Sequence, residues 1–134
     1  MWTNILWVAL GGALGTLLRY GINLWALPTG YPIGTVLENI IGSFLLAFLA
    51  ALFIFYSHHE WFRLSAGVGF CGSLTTMSTF SADTFLLIAR DEALLALLYG
   101  GTTFIGALFS AFLGLYLGRY LIDWLKVKGL NERE

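Results

Sequence analysis

Long apolar runs fill most of the chain, and short polar interruptions divide them into four segments. The segments cover residues 2–27, 33–56, 64–89 and 93–122. Each is long enough to cross the hydrocarbon core of a bilayer, about 30 Å thick, as an α-helix. The pattern predicts an all-α membrane protein, a single domain over residues 1–134 with four transmembrane helices and a charged tail at 123–134.

The third segment contains a polar run, from Gly69 to Phe85, where a membrane helix is normally apolar. The run combines small, hydroxylated and acidic residues: Gly69, Gly72, Ser73, Thr75, Thr76, Ser78, Thr79, Ser81 and Asp83. Backbone groups released from helical pairing in hydrocarbon are costly unless protein or an ion satisfies them. The run therefore predicts either a helix broken mid-membrane at a binding or conducting site, or a seam where helices pack closely.

Polar and small residues also recur at helical spacing in the other segments. The first segment carries a face of Gly11, Gly12 and Gly15, which is typical of close helix packing. Arg19 follows that face, and we expect its side chain to extend to the membrane surface or to pair with a buried acid.

The second and fourth segments each carry a polar face. Thr35, Glu38, Asn39 and Gly42 share one side of the second segment, and Tyr99, Thr103, Gly106 and Ser110 form a stripe along the fourth. An asparagine there is typical of an interhelical hydrogen bond. Glu38 is a functional candidate, because ionisable groups inside membranes are costly, or else it lies near the headgroups and reaches water.

The composition supports a membrane location and excludes several function classes. Apolar residues make up 58% of the chain and charged residues 11%, with a mean hydropathy of +0.80. The net charge of -1 gives no basic surface for nucleic acid. The single cysteine, Cys71, permits no internal disulfide. We find no cluster of residues typical of an active site and predict that the protein is not an enzyme.

The distribution of basic residues predicts an orientation. Four spans place both termini and the connection at 57–63 on one side of the membrane. That side holds Arg63, Arg119, Lys126, Lys128 and Arg133, whereas the other holds Arg19 and Arg90. The positive-inside rule therefore favours both termini in the cytoplasm of a multi-pass plasma-membrane protein.

Three sequence motifs resemble those of the CrcB/Fluc family of fluoride channels. They are GGALGTLLRY at 11–20, GTVLENIIGSF at 34–44 and GFCGSLTTMSTF at 69–80. The motifs occur in the family's order, and the resemblance covers nearly the whole chain. It implies a passive channel that exports fluoride from the cytoplasm and confers fluoride resistance.

The family resemblance also implies an assembly and a set of site residues. Family members are dimers of two oppositely inserted subunits with two pores between them. By similarity, backbone carbonyls of Gly72 and Thr75 would hold a structural sodium ion at the dimer interface. The pore residues would be Thr35, Asn39, Met77, Thr79, Phe80, Tyr99, Thr103 and Ser110.

The chain departs from the family pattern at four positions. Met77 replaces a phenylalanine, Ser73 a glycine, Asp83 a glutamate, and Glu38 stands where an apolar residue is expected. A carboxylate beside an anion path would repel fluoride. Together with the charge bias, these departures lead to a narrower hypothesis, in which the chain is one subunit of a heterodimer with a paired homologue.

Two other functions remain open on the sequence. A small multidrug-type antiporter, also of four spans, would use Glu38 for proton-coupled exchange of aromatic cations. A non-conducting accessory subunit would use the polar third segment for packing only. The channel hypothesis differs from both because it makes Asn39 and Phe80 the most important residues.

Overall fold

The computed structural model describes residues 2–56 and 60–131. Residues 57–59, in the predicted connection, and 132–134, at the end of the predicted tail, lie outside these ranges. The described ranges contain helices and short turns, and the all-α prediction is confirmed. The helices are α1 (Trp2–Ala26), a 3₁₀ turn (Leu27–Thr29), α2 (Ile33–Tyr56), α3 (Glu60–Phe62), a π-helix (Arg63–Cys71), α4 (Gly72–Leu74), α5 (Ser78–Ala89) and α6 (Ala93–Asn131).

The first two helices match the first two predicted segments closely. Proline and glycine close α1, because Pro28 lies in the 3₁₀ turn and Gly30 adopts a left-handed conformation with φ 70°. The chain then reverses, and α2 begins at Ile33, directly after Pro32. The reversal brings the C-terminal end of α1 beside the N-terminal end of α2, where several polar residues of both helices meet.

The third predicted segment is broken in the structure, as the sequence predicts. Helical structure stops at Leu74 and resumes at Ser78, and Thr75 is extended, with φ −75° and ψ 148°. Before the break, the sequence predicts an ordinary membrane α-helix, whereas the structure has a π-helix over Arg63–Cys71. Longer π-helices are rare, and no sequence pattern separates them from α-helix.

A glycine face holds α1 against the π-helix. A Cβ atom added at Gly11 would collide with the carbonyl of Ser65, and one at Gly15 with the carbonyl of Phe70. A Cβ at Gly69 would in turn meet the backbone of α1 at Val8. The two backbones therefore touch, and the predicted packing role of the α1 glycines is confirmed.

The last helix is longer than the fourth predicted segment. It continues to Asn131, so much of the predicted charged tail is helical. The predicted end at residue 122 marks only where the apolar pattern stops. Lysine is a good helix former, and Lys126 and Lys128 lie in the extended part of the helix. Gly114 and Gly118 of α6 lie against the backbone of α2 at Phe44 and Phe48, so these two helices pack closely.

Within the described ranges, three stretches are long and apolar enough to cross a membrane: Trp2–Thr29, Ile33–Ile54 and Ala93–Lys128. The third predicted span is divided by the break, so no single helix there has the length of a span. The protein is therefore a multi-pass membrane protein, and the fourth crossing, through the divided segment, remains a prediction.

Candidate functional site

The break in the third segment is held by one side chain of α2. Asn39 donates from Nδ2 to the carbonyl oxygen of Thr76 at 3.1 Å and accepts at Oδ1 from the Thr76 backbone N–H at 2.8 Å. These two bonds replace helical partners that Thr76 gives up at the break. An amide NH₂ group has two donors, so Asn39 keeps one N–H for another acceptor.

A groove runs along the break on one side of the protomer. Its volume is about 480 Å³, and it is lined by Asn39, Ser43, Gly72, Thr75, Thr76, Met77, Phe80, Thr103, Phe104 and Ala107. The lining combines polar and aromatic side chains and includes no charged side chain. The groove is open, since Met77 is 73% and Phe104 is 72% exposed.

The break also releases the two carbonyl groups that the resemblance implies for sodium. In a continuous helix the carbonyl of Gly72 would accept from the Thr76 N–H, but that N–H donates to Asn39. The carbonyl of Thr75 would accept from the Thr79 N–H, which instead donates to Oγ1 of Thr76 at 3.2 Å. Both carbonyls thus lose their usual donors, and Gly72 has open space where a Cβ would be.

One pair of aromatic rings joins α5 to α6. Phe80 stacks on Tyr99 of α6, with ring centroids 5.2 Å apart and an interplanar angle of 26°. Met77, at the other predicted aromatic position, lies in the break with its side chain exposed. Thr79 accepts a hydrogen bond from Oγ1 of Thr76 at 3.0 Å, so it supports the break from within the protomer.

A carboxylate on α5 joins three helices. Oδ2 of Asp83 accepts from the hydroxyl of Thr35 on α2 at 2.9 Å and from the hydroxyl of Tyr99 on α6 at 3.0 Å. Thr35 is 1% and Tyr99 is 7% exposed. The structure therefore brings together Thr35, Asp83 and Tyr99, which the sequence places far apart.

The remaining polar positions of α6 face α2. Thr103 donates to the carbonyl of Tyr99 at 2.7 Å, and Ser110 donates to the carbonyl of Ile40 at 2.8 Å. Both side chains are buried. Thr103 lines the groove, whereas Ser110 lies further along α6 and is not part of its lining.

The two other candidates, Glu38 and Arg19, lie away from the groove. Glu38 is fully buried, and its Oε1 accepts from Nδ2 of Asn23 on α1 at 2.7 Å. Arg19, one turn earlier on α1, is partly buried and acts electrostatically on Glu38. Neither of the two lines the groove, so Glu38 is a buried residue between helices and does not reach water at the headgroups.

A second cavity, of about 270 Å³, lies beside this cluster at one end of the bundle. Its polar lining includes Asn23, Thr35, Thr79, Asp83 and Arg90. Arg90 is exposed, so the cavity has a cationic residue at its outer end and the Asp83 carboxylate within it.

Sequence reasoning missed three residues of this arrangement. Asn23 was not linked to Glu38, and Thr76 was not recognised as the partner of Asn39. Ser73, treated only as a small replacement, donates to the carbonyl of Gly12 at 2.9 Å and so ties the break to α1. Each of these is a polar residue inside an apolar segment. That feature was the signal that each needs a polar partner on another helix.

The fold and this geometry define an all-α membrane protein in which a broken helix, braced by an asparagine, borders an open polar groove. A sequence model of the family described as CrcB-like protein, Camphor Resistance (CrcB), matches residues 6–115. The chain belongs to this family.

Relatives in several bacteria resemble the chain over most of its length. "Fluoride-specific ion channel FluC 2" of Halalkalibacterium halodurans is 44% identical over 114 residues, covering 85% of this chain and 84% of the relative. "Fluoride-specific ion channel FluC 2" of Bacillus subtilis is 41% identical over 126 residues, covering 94% and 95%. "Fluoride-specific ion channel FluC 1" of Staphylococcus aureus strain NCTC 8325 is 36% identical over 113 residues, covering 84% and 93%.

Proposed function

We propose that this chain forms a fluoride-selective channel in the plasma membrane, through which fluoride leaves the cytoplasm passively. Membership of the CrcB-like family and the printed names of its relatives support the choice of ion. An ion-channel family also fits a protein that is not an enzyme. Removal of cytoplasmic fluoride by this route would give the cell resistance to it.

The observation that carries the proposal is the polar break at Thr75–Met77 beside an uncharged groove. Polar backbone at membrane depth is tolerated only where it is buried in protein or lines a water- or ion-filled path. The break exposes Thr76 and Met77 to the groove and keeps one N–H of Asn39 available. Donors without a fixed positive charge can bind an anion weakly enough to release it.

The groove lining suits a small anion that must lose its hydration shell. Fluoride needs hydrogen-bond donors to replace water, and Asn39, Ser43 and Thr103 lie along the path. The positive edge of an aromatic ring can add a further favourable contact with an anion. The ring of Phe80 lines the groove and could supply it. We propose that Thr35, Tyr99 and Ser110 continue the track along α6, while Met77 and Thr79 border it at the break.

A second copy in the opposite orientation would cover the groove. Polar groups of the break would otherwise face lipid, which is costly. The freed carbonyls of Gly72 and Thr75 are hard oxygen donors and fit a sodium ion. We propose that these carbonyls, from both copies, hold sodium at the interface, where the ion would fix the two breaks against each other.

Fluoride efflux from proteoliposomes tests the function. The purified protein should release fluoride and retain chloride under the same voltage, measured with ion-selective electrodes. Asn39→Asp should lower fluoride efflux by at least about tenfold, because it replaces the donor with a negative charge near the ion path. Asn4→Ala, which removes a partly buried asparagine of α1 away from the groove, is the matched control and should leave efflux unchanged. Equal release of fluoride and chloride, or none of either, contradicts the proposal.

The positions of the polar residues favour the channel over the antiporter. An antiporter would need the Glu38 carboxylate in the transport path, but Glu38 contacts Asn23 and does not line the groove. No observation on the described residues assigns an aromatic cation to that position, so we do not propose it as a second function.

A further inference from the structure

We propose that Glu38 is a proton-binding site and that its proton controls how readily an anion passes along the neighbouring track. The proposal rests on the fluoride-channel function proposed above and adds a regulatory ligand, the proton, to it. It follows from the surroundings of one carboxyl group, which is fully buried and has one oxygen without a hydrogen-bond partner.

The first observation is the incomplete bonding of Glu38. The residue is 0% exposed and lies within a membrane-spanning helix. Its Oε1 accepts one hydrogen bond, from Asn23, and its Oε2 has no hydrogen-bond partner. A buried carboxylate normally needs donors at both oxygens. A neutral carboxyl group with one unpaired O–H is far less costly than a charged one in the same place.

The second observation is the balance of charge around Glu38. The groups that face it are Arg19 on α1, Asp83 on α5 and the hydroxyl of Tyr99 on α6. Arg19 gives Oε2 no hydrogen bond. An ionised Glu38 would have one positively charged neighbour, Arg19, and one acidic neighbour, Asp83, whereas a protonated Glu38 adds no charge to this site. Arg90 is further out, exposed at the mouth of the adjacent cavity.

The third observation decides which carboxyl group takes the proton. Oδ2 of Asp83 accepts two hydroxyl hydrogen bonds, from Thr35 and Tyr99, so this carboxyl group is well supplied with donors. Glu38 has a single donor. We therefore assign the proton to Glu38, the carboxyl group with fewer donors.

The site is coupled to the ion track through Tyr99. Tyr99 is the track residue whose hydroxyl lies within the electrostatic reach of Glu38, and its ring stacks on Phe80. Loss of the proton would place a second negative charge beside this part of the track. Repulsion between that charge and an anion on the track would slow the passage of the anion by roughly tenfold.

Fluoride efflux at different pH values tests the proposal. Proteoliposomes held at fixed voltage should release fluoride progressively more slowly as pH rises from about 6 to about 9, a range in which an unperturbed carboxyl group stays ionised. Glu38→Gln, which is neutral at every pH and keeps an acceptor for Asn23, should remain fast throughout. Glu60→Gln is the matched control, because Glu60 also accepts from an asparagine, Asn4, but at an exposed position. It should retain the wild-type pH profile.

Infrared spectroscopy provides a measurement independent of transport. The wild-type protein should show the C=O stretch of a protonated carboxyl group, which disappears in Glu38→Gln and persists in Glu60→Gln. Glu38→Leu serves the same purpose if the glutamine variant does not fold. A wild-type pH profile identical to that of Glu38→Gln, or a spectrum unchanged by the substitution, overturns the proton site. Absence of fluoride efflux at every pH contradicts the channel function instead, and the spectrum still decides the site.

Discussion

At the scale of single residues, most hydroxyl groups near the proposed path are occupied by acceptors of the same subunit. Thr103 and Ser110 donate to backbone carbonyls, and Thr35 and Tyr99 donate to Asp83. A hydroxyl group has one hydrogen to donate. An anion that binds any of these groups must therefore displace an internal bond, which keeps its binding weak enough for release.

Removal of the Tyr99 hydroxyl group tests the role of this shared carboxylate. Tyr99→Phe keeps the ring that stacks on Phe80 but takes one of two donors from Asp83. We expect a loss of about 1–3 kcal/mol in unfolding free energy, because the partly buried Asp83 carboxyl group loses a hydrogen bond from a buried hydroxyl group. We also expect slower fluoride efflux. Thermal unfolding in detergent and electrode recordings measure the two effects.

Tyr116→Phe is the control for that substitution. Tyr116 lies on the same helix, but its side chain is 66% exposed. Removal of its hydroxyl group should change neither the unfolding free energy nor the rate of fluoride efflux. Equal effects of the two substitutions would mean that the hydrogen bond to Asp83 has no part in the function.

The sequence predicted individual polar residues better than it predicted their partners. Asn39 and Asp83 stood out because polar groups are rare in membrane segments. The pairing of Glu38 with Asn23 did not follow, since it depends on how α1 and α2 lie after the reversal at Pro28. Helical periodicity defines a face but not the residue opposite it, so the proposed roles of these residues await the transport measurements.

At the scale of helices, the contact between α1 and the π-helix has no space for a side chain. Gly11 and Gly15 allow the backbones to meet, and Ser73 adds a hydrogen bond to the carbonyl of Gly12. Membrane helices associate through such close packing because lipid removes the hydrophobic driving force. The position of the break therefore depends on α1 as much as on Asn39.

A methyl group at this contact should destabilise the protein. Gly11→Ala would push Cβ into the carbonyl of Ser65, and we expect a loss of about 1–3 kcal/mol in unfolding free energy. Gly21→Ala, in the same helix but with open space around it, should be neutral or stabilising by up to about 1 kcal/mol. Thermal unfolding in detergent compares them. A Gly11→Ala protein as stable as the wild type would show that the backbones can separate without cost.

The break and the π-helix differ in how far sequence predicts them. Glycine, serine and threonine at 72–79 mark the break, because they weaken a helix and satisfy backbone groups locally. The residues from Arg63 to Cys71 are as compatible with an α-helix as with a π-helix. These residues pack against the backbone of α1, a tertiary contact that local sequence preference does not reveal.

At the scale of the whole molecule, the uncovered groove supports the proposed second subunit. Asn39, Ser43, Thr75 and Thr76 line a path that a single copy leaves open to lipid. The expected bias of basic residues toward the side of the two termini would give this chain a preferred orientation. A partner inserted the other way is then either a copy that overcomes the bias or a homologue with the opposite bias.

Reconstitution of this chain alone distinguishes those two assemblies. A homodimer would give fluoride efflux without any other protein. A heterodimer would give efflux only when the paired homologue is added, and the chain alone would release fluoride no faster than empty liposomes. We expect the chain alone to conduct, because Asn39, Phe80 and the break are all present in it. Efflux that appears only with a homologue would contradict this expectation.

Cross-linking tests whether the two copies meet at the break. Gly72 has open space around it and lies in the groove, so cysteines there would approach each other across the proposed two-fold axis. In a Cys71→Ser background, Gly72→Cys should form a disulfide-linked dimer under mild oxidation, visible on a non-reducing gel, and sodium should increase its yield. Gly21→Cys, equally open but on α1 outside the groove, should remain monomeric. Two outcomes would contradict this prediction: a stronger cross-link at Gly21, or no cross-link at Gly72 in a protein that still conducts. Either would place the dimer interface elsewhere, and the carbonyls of Gly72 and Thr75 could then not share a sodium ion between the two copies.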